Sequence, residues 1–153
     1  MSGEDNLLKL LDTDESEEAT YRLQEQVGFL LRRANQRHVA IFASRITDLT
    51  PPQFAALAML GEAGECSQNQ LGQMVAMDAA TIKGVIDRLK GRGLVALSED
   101  PGDKRRLVVT LTLAGRDTLQ TLMAAAKEIT EETLSPLNAR EAATFVKLLA
   151  KVC

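Results

Sequence analysis

A run of charged residues after the middle of the chain has the composition of a nucleic-acid contact. Residues 99–115 read EDPGDKRRLVVTLTLAG, with three consecutive basic residues at the expected tip of a β-hairpin. A guanidinium on such a tip can enter a narrow DNA minor groove, where the negative potential is enhanced. We expect Arg105 to enter the groove and Asp103 to orient its guanidinium by a bidentate contact. Lys104 and Arg106 are then expected to bind the flanking phosphates. The alternative is a charged turn that only keeps the hairpin soluble.

Two predicted helices before this hairpin carry further candidate DNA contacts. In a helix-turn-helix the second helix lies in the major groove, and the residues of its first turn reach the base edges. Small residues allow close approach, and a threonine can contact a base through its hydroxyl or its methyl group. The free N–H groups at the start of the first helix favour a phosphate. The candidate residues are Ser67, Gln68, Gln70, Asp78, Ala79, Ala80, Thr81, Lys83 and Arg88.

These residues also have structural interpretations. Ser67 occupies an expected helix N-cap, so it is a cap first and a phosphate ligand second. We expect Lys83 to meet a phosphate. For Arg88, a phosphate contact and a salt bridge with a nearby acid such as Asp87 or Asp103 are equally open. The alternative for the second helix as a whole is that its polar face is an ordinary solvated surface.

A second cluster of cations interrupts the apolar pattern of a long predicted first helix. Arg32, Arg33, Arg37 and His38 lie where apolar residues no longer recur every three or four positions. A guanidinium binds a carboxylate in a bidentate way, and a histidine can donate a hydrogen bond to a hydroxyl or a carboxylate. The candidate apolar walls of such an acid-binding site are Phe29, Phe42, Phe54 and Met59. The alternative is that these cations form salt bridges with the acidic N-terminus of another subunit and that His38 is structural.

The distribution of charge supports a nucleic-acid contact although the chain as a whole is acidic. The 153 residues have a formal net charge of −3. Residues 78–116 nevertheless carry eight basic against five acidic side chains, whereas residues 1–20 carry seven acidic and one basic. Local charge decides whether a surface meets phosphate. No apolar run approaches the roughly 20 residues that span a bilayer, so we expect a cytoplasmic protein with no membrane partner.

The elements that position these residues follow from periodicity and from capping signals. Apolar spacing predicts a long helix from about residue 19 to residue 48. Three capping boxes open further helices, and a fourth N-cap is Asp78: the boxes are Thr50 with Gln53, Ser67 with Gln70, and Asn138 with Glu141. Strand-like runs at 94–98 and 106–112 flank a Pro-Gly turn. A second long helix begins at Leu113 and is expected to end before Pro136.

Three helices followed by a two-stranded hairpin are the order of a winged helix-turn-helix. We therefore predict a mostly α-helical fold with a small β-hairpin, in which residues 49–112 form a winged helix-turn-helix DNA-binding lobe. The helices of residues 1–48 and 113–153 keep apolar stripes that have no partner within one chain. Burial between two copies is the simplest solution, so both terminal regions are predicted to form a helical dimerisation region.

On these residues the sequence resembles the MarR family of transcriptional regulators. The run DPGDKRRLVVTLTLAG (100–115) is similar to the family's wing signature, and SQNQLGQMVAMDAATIKGVIDRLKGRGLV (67–95) is similar to the helix-turn-helix that precedes it. One departure is visible. Many members carry an arginine soon after the Gly-Leu-Val motif, whereas residues 96–98 read ALS here. The missing cation makes Arg105 and Arg106 more important.

The resemblance implies a homodimer that binds a palindromic operator on double-stranded DNA, usually as a repressor. It also implies a small ligand that binds between the dimerisation helices and the DNA-binding lobe and weakens DNA binding. The run GFLLRRANQRHVAIFA (28–43) is similar to the first helix of members that regulate the degradation of small aromatic acids. By this resemblance, Arg32 and His38 are the pair expected to bind an aromatic carboxylate such as a hydroxybenzoate or a hydroxynicotinate.

Other functions find less support in the sequence. Redox sensing through Cys66 is an alternative, because a position just before a helix N-terminus can lower a thiol pKa. Redox sensors that resemble this chain place the cysteine in the first helix among tyrosines, whereas Tyr21 is the one tyrosine here, so a small buried residue is the simpler interpretation. A winged-helix module that binds protein instead of DNA would lack the cations of the second helix and the wing. Neither an enzyme nor a cofactor or metal site is expected, because no nucleophile, phosphate loop or ligand cluster accompanies the single histidine.

Overall fold

A computed structural model describes residues 20–153 of the chain. After a 3₁₀ turn at Leu23–Glu25, the elements are α1 (Val27–Arg45), α2 (Pro51–Ala63), β1 (Cys66–Ser67), α3 (Gln68–Met74), α4 (Ala79–Gly91), β2 (Val95–Asp100), β3 (Asp103–Leu111), α5 (Leu113–Leu134) and α6 (Ala139–Lys151). The chain divides into two compact units, Met1–Asn35 and Gln36–Cys153, and the boundary falls within α1. The acidic N-terminal stretch, and with it the first part of the predicted region 1–48, lies outside the described residues.

The first helix is shorter than its periodicity predicts. It begins at Val27 rather than near residue 19 and ends at Arg45 rather than near residue 48. Gln26 has an extended conformation, with φ −83° and ψ 138°, so it closes the 3₁₀ turn and cannot belong to a helix. Its carbonyl accepts the N–H of Leu30 at 3.0 Å, which is the hydrogen bond that opens α1. An apolar stripe continues across such a break, and periodicity alone therefore does not detect it.

Capping hydrogen bonds start the helices of the second unit where the sequence predicts. All three capping boxes are confirmed: Thr50 with Gln53, Ser67 with Gln70, and Asn138 with Glu141. In each box the cap side chain accepts a backbone N–H of the first turn, and the glutamine or glutamate accepts the N–H of the cap residue. Asp78 caps α4 by accepting the N–H of Thr81 at 2.7 Å. Gly64, which ends α2, and Gly93, which follows α4, both have φ of +73°, a conformation that favours glycine.

The three strands form one antiparallel sheet in the order β1-β3-β2. The sequence pattern does not predict β1, because a strand of two residues has no periodicity to recognise. It pairs Cys66 with Val109 and Ser67 with Val108, so the segment before α3 is fastened to the hairpin. The mostly α-helical fold with a small β-hairpin is confirmed, with this third strand added to the sheet.

The hairpin extends further towards its tip than the predicted strands at 94–98 and 106–112. Regular pairing of β2 with β3 ends at Glu99 and Leu107, and after an irregularity in the register Asp100 pairs with Asp103. A two-residue turn of Pro101 and Gly102 therefore joins the strands. Asp100 Oδ1 accepts the N–H of Gly102 at 2.9 Å, which is a typical use of aspartate in a turn. The three basic residues belong to β3, but they lie in the bulge between Asp103 and Leu107 and have no partner residue in β2.

One hydrophobic core in the second unit holds these elements together. Four apolar residues of α4 that recur at helical spacing are in it, each at most 8% exposed: Ile82, Val85, Ile86 and Leu89. α2 contributes Leu57 and Leu60, β3 contributes Val109, and α5 contributes Ile129. Because α4 buries one side among α2, α3 and the hairpin, its polar side is exposed to solvent.

Candidate nucleic-acid interface and effector cluster

The first turn of α4 presents three candidate base-contacting residues to solvent. Ala79, Ala80 and Thr81 are exposed, while the opposite side of the helix is buried. The carboxylate of Asp78 fixes this turn through the backbone N–H of Thr81. That hydrogen bond holds the pKa of Asp78 below its ordinary value, so the carboxylate is charged at neutral pH. The turn therefore offers small side chains on a backbone whose geometry is set by the cap.

Two cations further along α4 differ in their partners. Lys83 Nζ lies 2.9 Å from Asp87 Oδ2, one turn later on the same helix, and both side chains are more than half exposed. Such an exposed ion pair is worth little, so a phosphate can replace Asp87 at small cost. Arg88 forms no ion pair within residues 20–153, whereas Asp87 is paired with Lys83 and Asp103 accepts a backbone N–H of its own turn. The salt bridge considered for Arg88 is therefore absent from the structure.

At the wing tip, Asp103 makes a different contact from the one expected. Its Oδ1 accepts the backbone N–H of Arg105 at 3.0 Å, and no ion pair joins it to the Arg105 guanidinium. A short aspartate side chain reaches a backbone N–H two residues on more readily than it reaches a long flexible side chain. Within the part of the chain that the structure describes, Lys104 and Arg105 have no ion-pair partner. Arg106 faces Asp100, with 4.0 Å between Nε and Oδ2.

The start of α3 and the wing line one polar cleft of about 490 Å³. Six of the predicted DNA-binding residues meet there: Ser67, Gln68, Gln70, Asp103, Arg105 and Arg106. Asn69, Gln73 and Leu107 complete the lining, and the sequence signal that points to the first two is the run of amide side chains from 68 to 73. Amide groups beside two guanidinium groups are suited to the sugar-phosphate backbone of a nucleic acid. The predicted residues of α4 do not line this cleft.

Ser67 and Gln70 are committed to the fold within this cleft. Ser67 is 5% exposed, and its Oγ accepts the N–H of Gln70 at 3.1 Å. Gln70 Oε1 accepts the N–H of Ser67 in return, also at 3.1 Å. Ser67 is thus a cap first, as expected. Gln68 and Asn69 make neither of these cap bonds, so their amides are better placed for an external ligand.

The predicted acid-binding residues fall in both compact units. Phe29, Arg32 and Arg33 belong to the first unit, whereas Arg37, His38, Phe42, Phe54 and Met59 belong to the second. In the first unit the guanidinium carbons of Arg32 and Arg33 lie 5.5 and 5.9 Å from the centroid of the Phe29 ring. These are cation–π distances. Both arginines are exposed, so each can also bind an anion.

Arg37 is bound to the last turn of α5. Its Nη1 donates to the carbonyl of Thr133, and its Nη2 donates to the carbonyl of Glu132 at 2.8 Å. The last carbonyls of a helix have no partner within the helix, and the helix dipole favours a cation beside them. Arg37 therefore caps the C-terminus of α5.

His38 is held by the same turn through a hydroxyl relay. Its Nδ1 lies 2.9 Å from Thr133 Oγ1, and Thr133 Oγ1 donates its single proton to the carbonyl of Ile129 at 2.7 Å. The hydroxyl must then accept a hydrogen bond from the ring, which places a proton on Nδ1. In the neutral ring, Nε2 is consequently the nitrogen that can accept a hydrogen bond from a ligand.

The aromatic candidates of the second unit differ in exposure. Phe42 and Phe54 form an edge-to-face pair, with ring centroids 6.0 Å apart and planes at 64°. Phe42 is 5% exposed and belongs to the core, whereas Phe54 and Met59 are half-buried beside it. Phe54 and Met59 thus have the partial exposure that a pocket wall requires.

Arg45 forms a contact with α5 that the sequence pattern does not predict. Its Nη1 donates to Glu128 Oε2 at 2.6 Å, and both Nε and Nη2 donate to Glu132 Oε2, at 2.9 and 2.7 Å. The hydrogen bond to Glu132 and the charges of both carboxylates raise the pKa of Arg45. The only signal in the sequence is a set of acids late in α5, with nothing to say which cation they meet.

The sequence of this chain is similar to those of known proteins. Residues 47–106, which span α2 to the wing, match the sequence model of the MarR family. The HTH-type transcriptional repressor NicR of Pseudomonas putida is 45% identical over 134 residues, which cover 86% of this chain and 85% of that relative. The chain belongs to the MarR family.

Two solved structures resemble this MarR-family chain over 86% of its length. A probable transcriptional regulator from Pseudomonas aeruginosa is 55% identical with a TM-score of 0.85, and 100% of that chain is covered. Bordetella bronchiseptica BpsR is 46% identical with a TM-score of 0.83, and 96% of that chain is covered. The BpsR structure concerns the regulation of DNA binding by 6-hydroxynicotinic acid.

The present chain is therefore a MarR-type transcriptional regulator. NicR is named a transcriptional repressor, and transcriptional regulators of this kind are not enzymes. Among residues 20–153, none of the helices combines the length and the apolar character that crossing a membrane requires.

In this MarR-family chain Cys66 has the environment of a core residue. It is 8% exposed and is paired with Val109 in the sheet. Burial raises the pKa of its thiol, so less of the reactive thiolate is present at neutral pH. The structure thus favours the packing interpretation of Cys66 over redox sensing.

Proposed function

We propose that this MarR-type regulator is a homodimeric repressor that binds a palindromic operator and is released from it by a small aromatic carboxylate. The polar cleft that α3 shares with the wing is the observation that carries the DNA-binding part of the proposal. It gathers six residues that were chosen from the sequence for DNA contact. The sequence identity to NicR and BpsR supports the effector part.

On the DNA, α4 lies in the major groove with its first turn towards the bases. Ala79, Ala80 and Thr81 are exposed there and small enough for close approach. Lys83 and Arg88 bind phosphates on either side of the groove, Lys83 after releasing Asp87. Asp78 contributes indirectly, because its cap bond fixes the turn that carries the reading residues.

The wing extends the contact along the backbone and into the minor groove. Arg105 enters the groove, since its guanidinium has no ion-pair partner among the described residues and lies at the exposed tip. Lys104 and Arg106 bind the flanking phosphates. Gln68 and Asn69, which line the same cleft, add neutral hydrogen bonds to the backbone.

Exposed apolar residues at both ends of the described chain support the homodimer. None of the residues of α6 is buried, and Phe145, Val146 and Leu148 are 42, 50 and 53% exposed. In the first unit Val27 and Leu30 are 70 and 49% exposed. Amphipathic helices of this kind are stable when a partner covers the apolar face. Residues 1–48 and 113–153 accordingly supply the dimer interface, and residues 49–112 form the DNA-binding lobe.

The effector is a small aromatic acid whose carboxylate is bound by Arg32 and His38. His38 supplies Nε2, because Nδ1 is already used by Thr133. Arg33 adds positive charge. Arg37 helps to position His38, because both residues bind the last turn of α5. Phe29, Phe54 and Met59 supply apolar contacts to the ring, with Phe42 as support behind Phe54. A hydroxynicotinate or a hydroxybenzoate combines the carboxylate and the flat ring that these side chains suit.

Fluorescence anisotropy with the DNA upstream of the protein's own gene tests this proposal. Titrations are carried out with and without 6-hydroxynicotinate, hydroxybenzoates and benzoate, and a shuffled duplex of equal length serves as the DNA control. We expect specific binding that one of these acids weakens about 5- to 150-fold, the usual range of an allosteric coupling. Specific binding that none of the acids alters would overturn the effector part alone. Equal binding to the shuffled duplex would overturn the operator.

One substitution of His38 and one of Thr133 separate the roles of the two ring nitrogens of His38. In His38→Asn the amide can still bind Thr133, but nothing replaces Nε2, so we expect effector affinity to fall while DNA binding persists. Thr133→Val removes the partner of Nδ1 instead and should weaken effector binding less, since Nε2 remains. An effector affinity that His38→Asn leaves unchanged would exclude His38 from the effector site.

A further inference from the structure

The residues that follow α4 form a junction with the loop after α1 and with the start of α5. Arg92 caps α4, and its guanidinium reaches back to the loop after α1. There Nη1 donates to the carbonyl of Asp48, and Nη2 lies 3.4 Å from Asp48 Oδ2. The end of α4 is thereby fastened to the segment that joins α1 to α2.

Thr112 fastens the same end of α4 to the start of α5. Its Oγ1 donates to the carbonyl of Gly93 at 2.6 Å and accepts the N–H of Gly115 at 3.0 Å. Its own N–H donates to the carbonyl of Leu94 at 3.1 Å. One threonine therefore caps α5 and binds the two residues that lead out of α4.

Gly115 brings the two backbones into direct contact. A Cβ on this residue would lie 2.0 Å from the carbonyl oxygen of Leu94 and 3.0 Å from its carbonyl carbon. The obstacle is backbone, which cannot rotate away as a side chain can. The first turn of α5 thus packs on Leu94 without an intervening side chain.

Backbone hydrogen bonds tie the segment 92–94 to the end of α4. The N–H of Gly93 donates to the carbonyl of Lys90 at 2.9 Å, and the N–H of Leu94 donates to the carbonyl of Leu89 at 3.0 Å. Gly93 has φ of +73°, as a helix-terminating glycine requires. These bonds hold residues 92–94 to the last turn of α4, so a displacement of this segment also displaces the helix.

We propose that this junction, formed by Asp48, Arg92, Gly93, Leu94, Thr112 and Gly115, sets the half-site spacing of the operator. The inference rests on the proposed homodimer, in which the long helices fix one subunit against the other. The junction then fixes each α4 against those helices and so fixes the separation of the two reading helices. One inserted base pair shifts a half-site by about 3.4 Å along the DNA and rotates it by about 35°. A firm junction therefore makes the dimer selective for one spacing.

The test compares operator duplexes whose half-sites are one base pair closer, unchanged, or one or two base pairs further apart. The half-sites come from the footprint of the protein on its upstream DNA. Thr112→Val removes both hydroxyl bonds but keeps the volume and the backbone N–H, whereas Thr112→Ser keeps the hydroxyl. The matched control is Thr121→Val, which removes a hydroxyl bond of 2.9 Å to the carbonyl of Asp117 within α5.

We expect the wild type to prefer one spacing by about tenfold or more, the cost of about one mismatched base pair. In Thr112→Val the preference should fall below about threefold while binding to non-specific DNA is unchanged. Thr112→Ser and Thr121→Val should keep the wild-type preference. A general loss of stability would weaken binding to all duplexes alike and leave their ratio unchanged.

Arg92→Gln provides the test should Thr112→Val fail to fold, because the Arg92 side chain is exposed and contributes nothing to the core. It removes the charge that binds Asp48 and should also reduce the spacing preference. A wild-type preference in folded, dimeric Arg92→Gln and Thr112→Val would overturn the proposal, and so would a wild type without any preference. A wild type that binds none of the duplexes would instead overturn the proposed function.

Discussion

The wing and the second half of α1 both carry basic side chains, but the structure gives them different partners. At the wing tip Lys104 and Arg105 have no ion-pair partner within residues 20–153. On α1, Arg37 donates to two carbonyls at the end of α5, and Arg45 binds two carboxylates of the same helix. The first set is available to an external anion, whereas the second set connects two helices of the protein.

This difference separates stability from binding. When a cation with an internal partner is removed, the partner loses its hydrogen bonds and the folded state loses free energy. When a cation without an internal partner is removed, the fold is unaffected and only an external ligand is lost. Variants of the wing should therefore change operator affinity, and variants of Arg37 and Arg45 should change the free energy of unfolding. A variant that changes the other quantity instead would assign its residue to the other set.

The largest effect is expected for Arg105→Gln at the wing tip. Loss of a groove-bound guanidinium should weaken operator binding about 10- to 100-fold. The slope of log Kd against log salt should fall by about one, because one fewer counterion is released. The free energy of unfolding should not change, since the guanidinium has no ion-pair partner in the described chain.

Arg116→Gln is the matched control for Arg105→Gln, because it removes an equal charge from the exposed first turn of α5. Operator affinity should change less than about threefold in this control. Equal losses in the two variants would show that the wing acts through net charge alone and not through a placed guanidinium.

The next effect is expected for Arg37→Met, and it concerns stability. Methionine keeps much of the aliphatic stem but leaves the carbonyls of Glu132 and Thr133 without this donor. The free energy of unfolding, measured with urea, should fall by about 1 kcal/mol, the usual worth of such hydrogen bonds at an exposed site. Operator affinity of the folded protein should stay within about twofold of the wild type. A variant of normal stability and poor DNA binding would place Arg37 with the wing cations.

A smaller effect is expected for Arg106→Gln. Asp100 lies 4.0 Å from this guanidinium and offsets part of its attraction for a phosphate. Operator affinity should therefore fall only about threefold, less than in Arg105→Gln. Asp100→Asn sharpens the comparison, because it removes the opposing charge but keeps an acceptor for the Gly102 N–H. It should raise operator affinity by about twofold, and a decrease would show that the charge of Asp100 orients Arg106.

Much of the DNA-binding lobe could be predicted from the sequence because its signals are local. A capping box needs two side chains three residues apart, and all three boxes are confirmed. The buried side of α4 follows from helical spacing, and the wing turn follows from its proline and glycine. Residues of α3 and of the wing could both be predicted as DNA contacts, since the resemblance to one family includes both segments.

Contacts between distant segments could not be predicted in the same way. The partners of Arg37, His38 and Arg45 lie about ninety residues away in α5, and any acid or carbonyl of the chain was an equal candidate. The contact of Asp103 was also missed, because the guanidinium and the backbone N–H of Arg105 are equally near in sequence. Only the geometry of the turn distinguishes them.

The smallest effect is expected for Asp78, an acid at the start of the proposed reading helix whose partner is internal. The hydrogen bond from the Thr81 N–H lowers the pKa of Asp78 in the folded protein, so folding favours the carboxylate. Its contribution to stability is complete above the ordinary aspartate pKa of about 3.9 and is lost as the pH falls through the lowered value. Serine also caps a helix but does not titrate in this range.

Wild type and Asp78→Ser should therefore differ in their response to acid. We expect the wild type to be slightly more stable at pH 7, because its charge also favours the helix N-terminus, and this advantage should disappear as the pH falls through the lowered pKa of Asp78. Urea unfolding at several pH values measures it, and Asp117→Ser, which removes an aspartate that caps no helix, is the control. A difference that does not depend on pH would mean that Asp78 acts as a neutral cap. The anionic cap would then contribute nothing to fixing the reading turn of α4, and the small side chains of that turn would have to be positioned by the core alone.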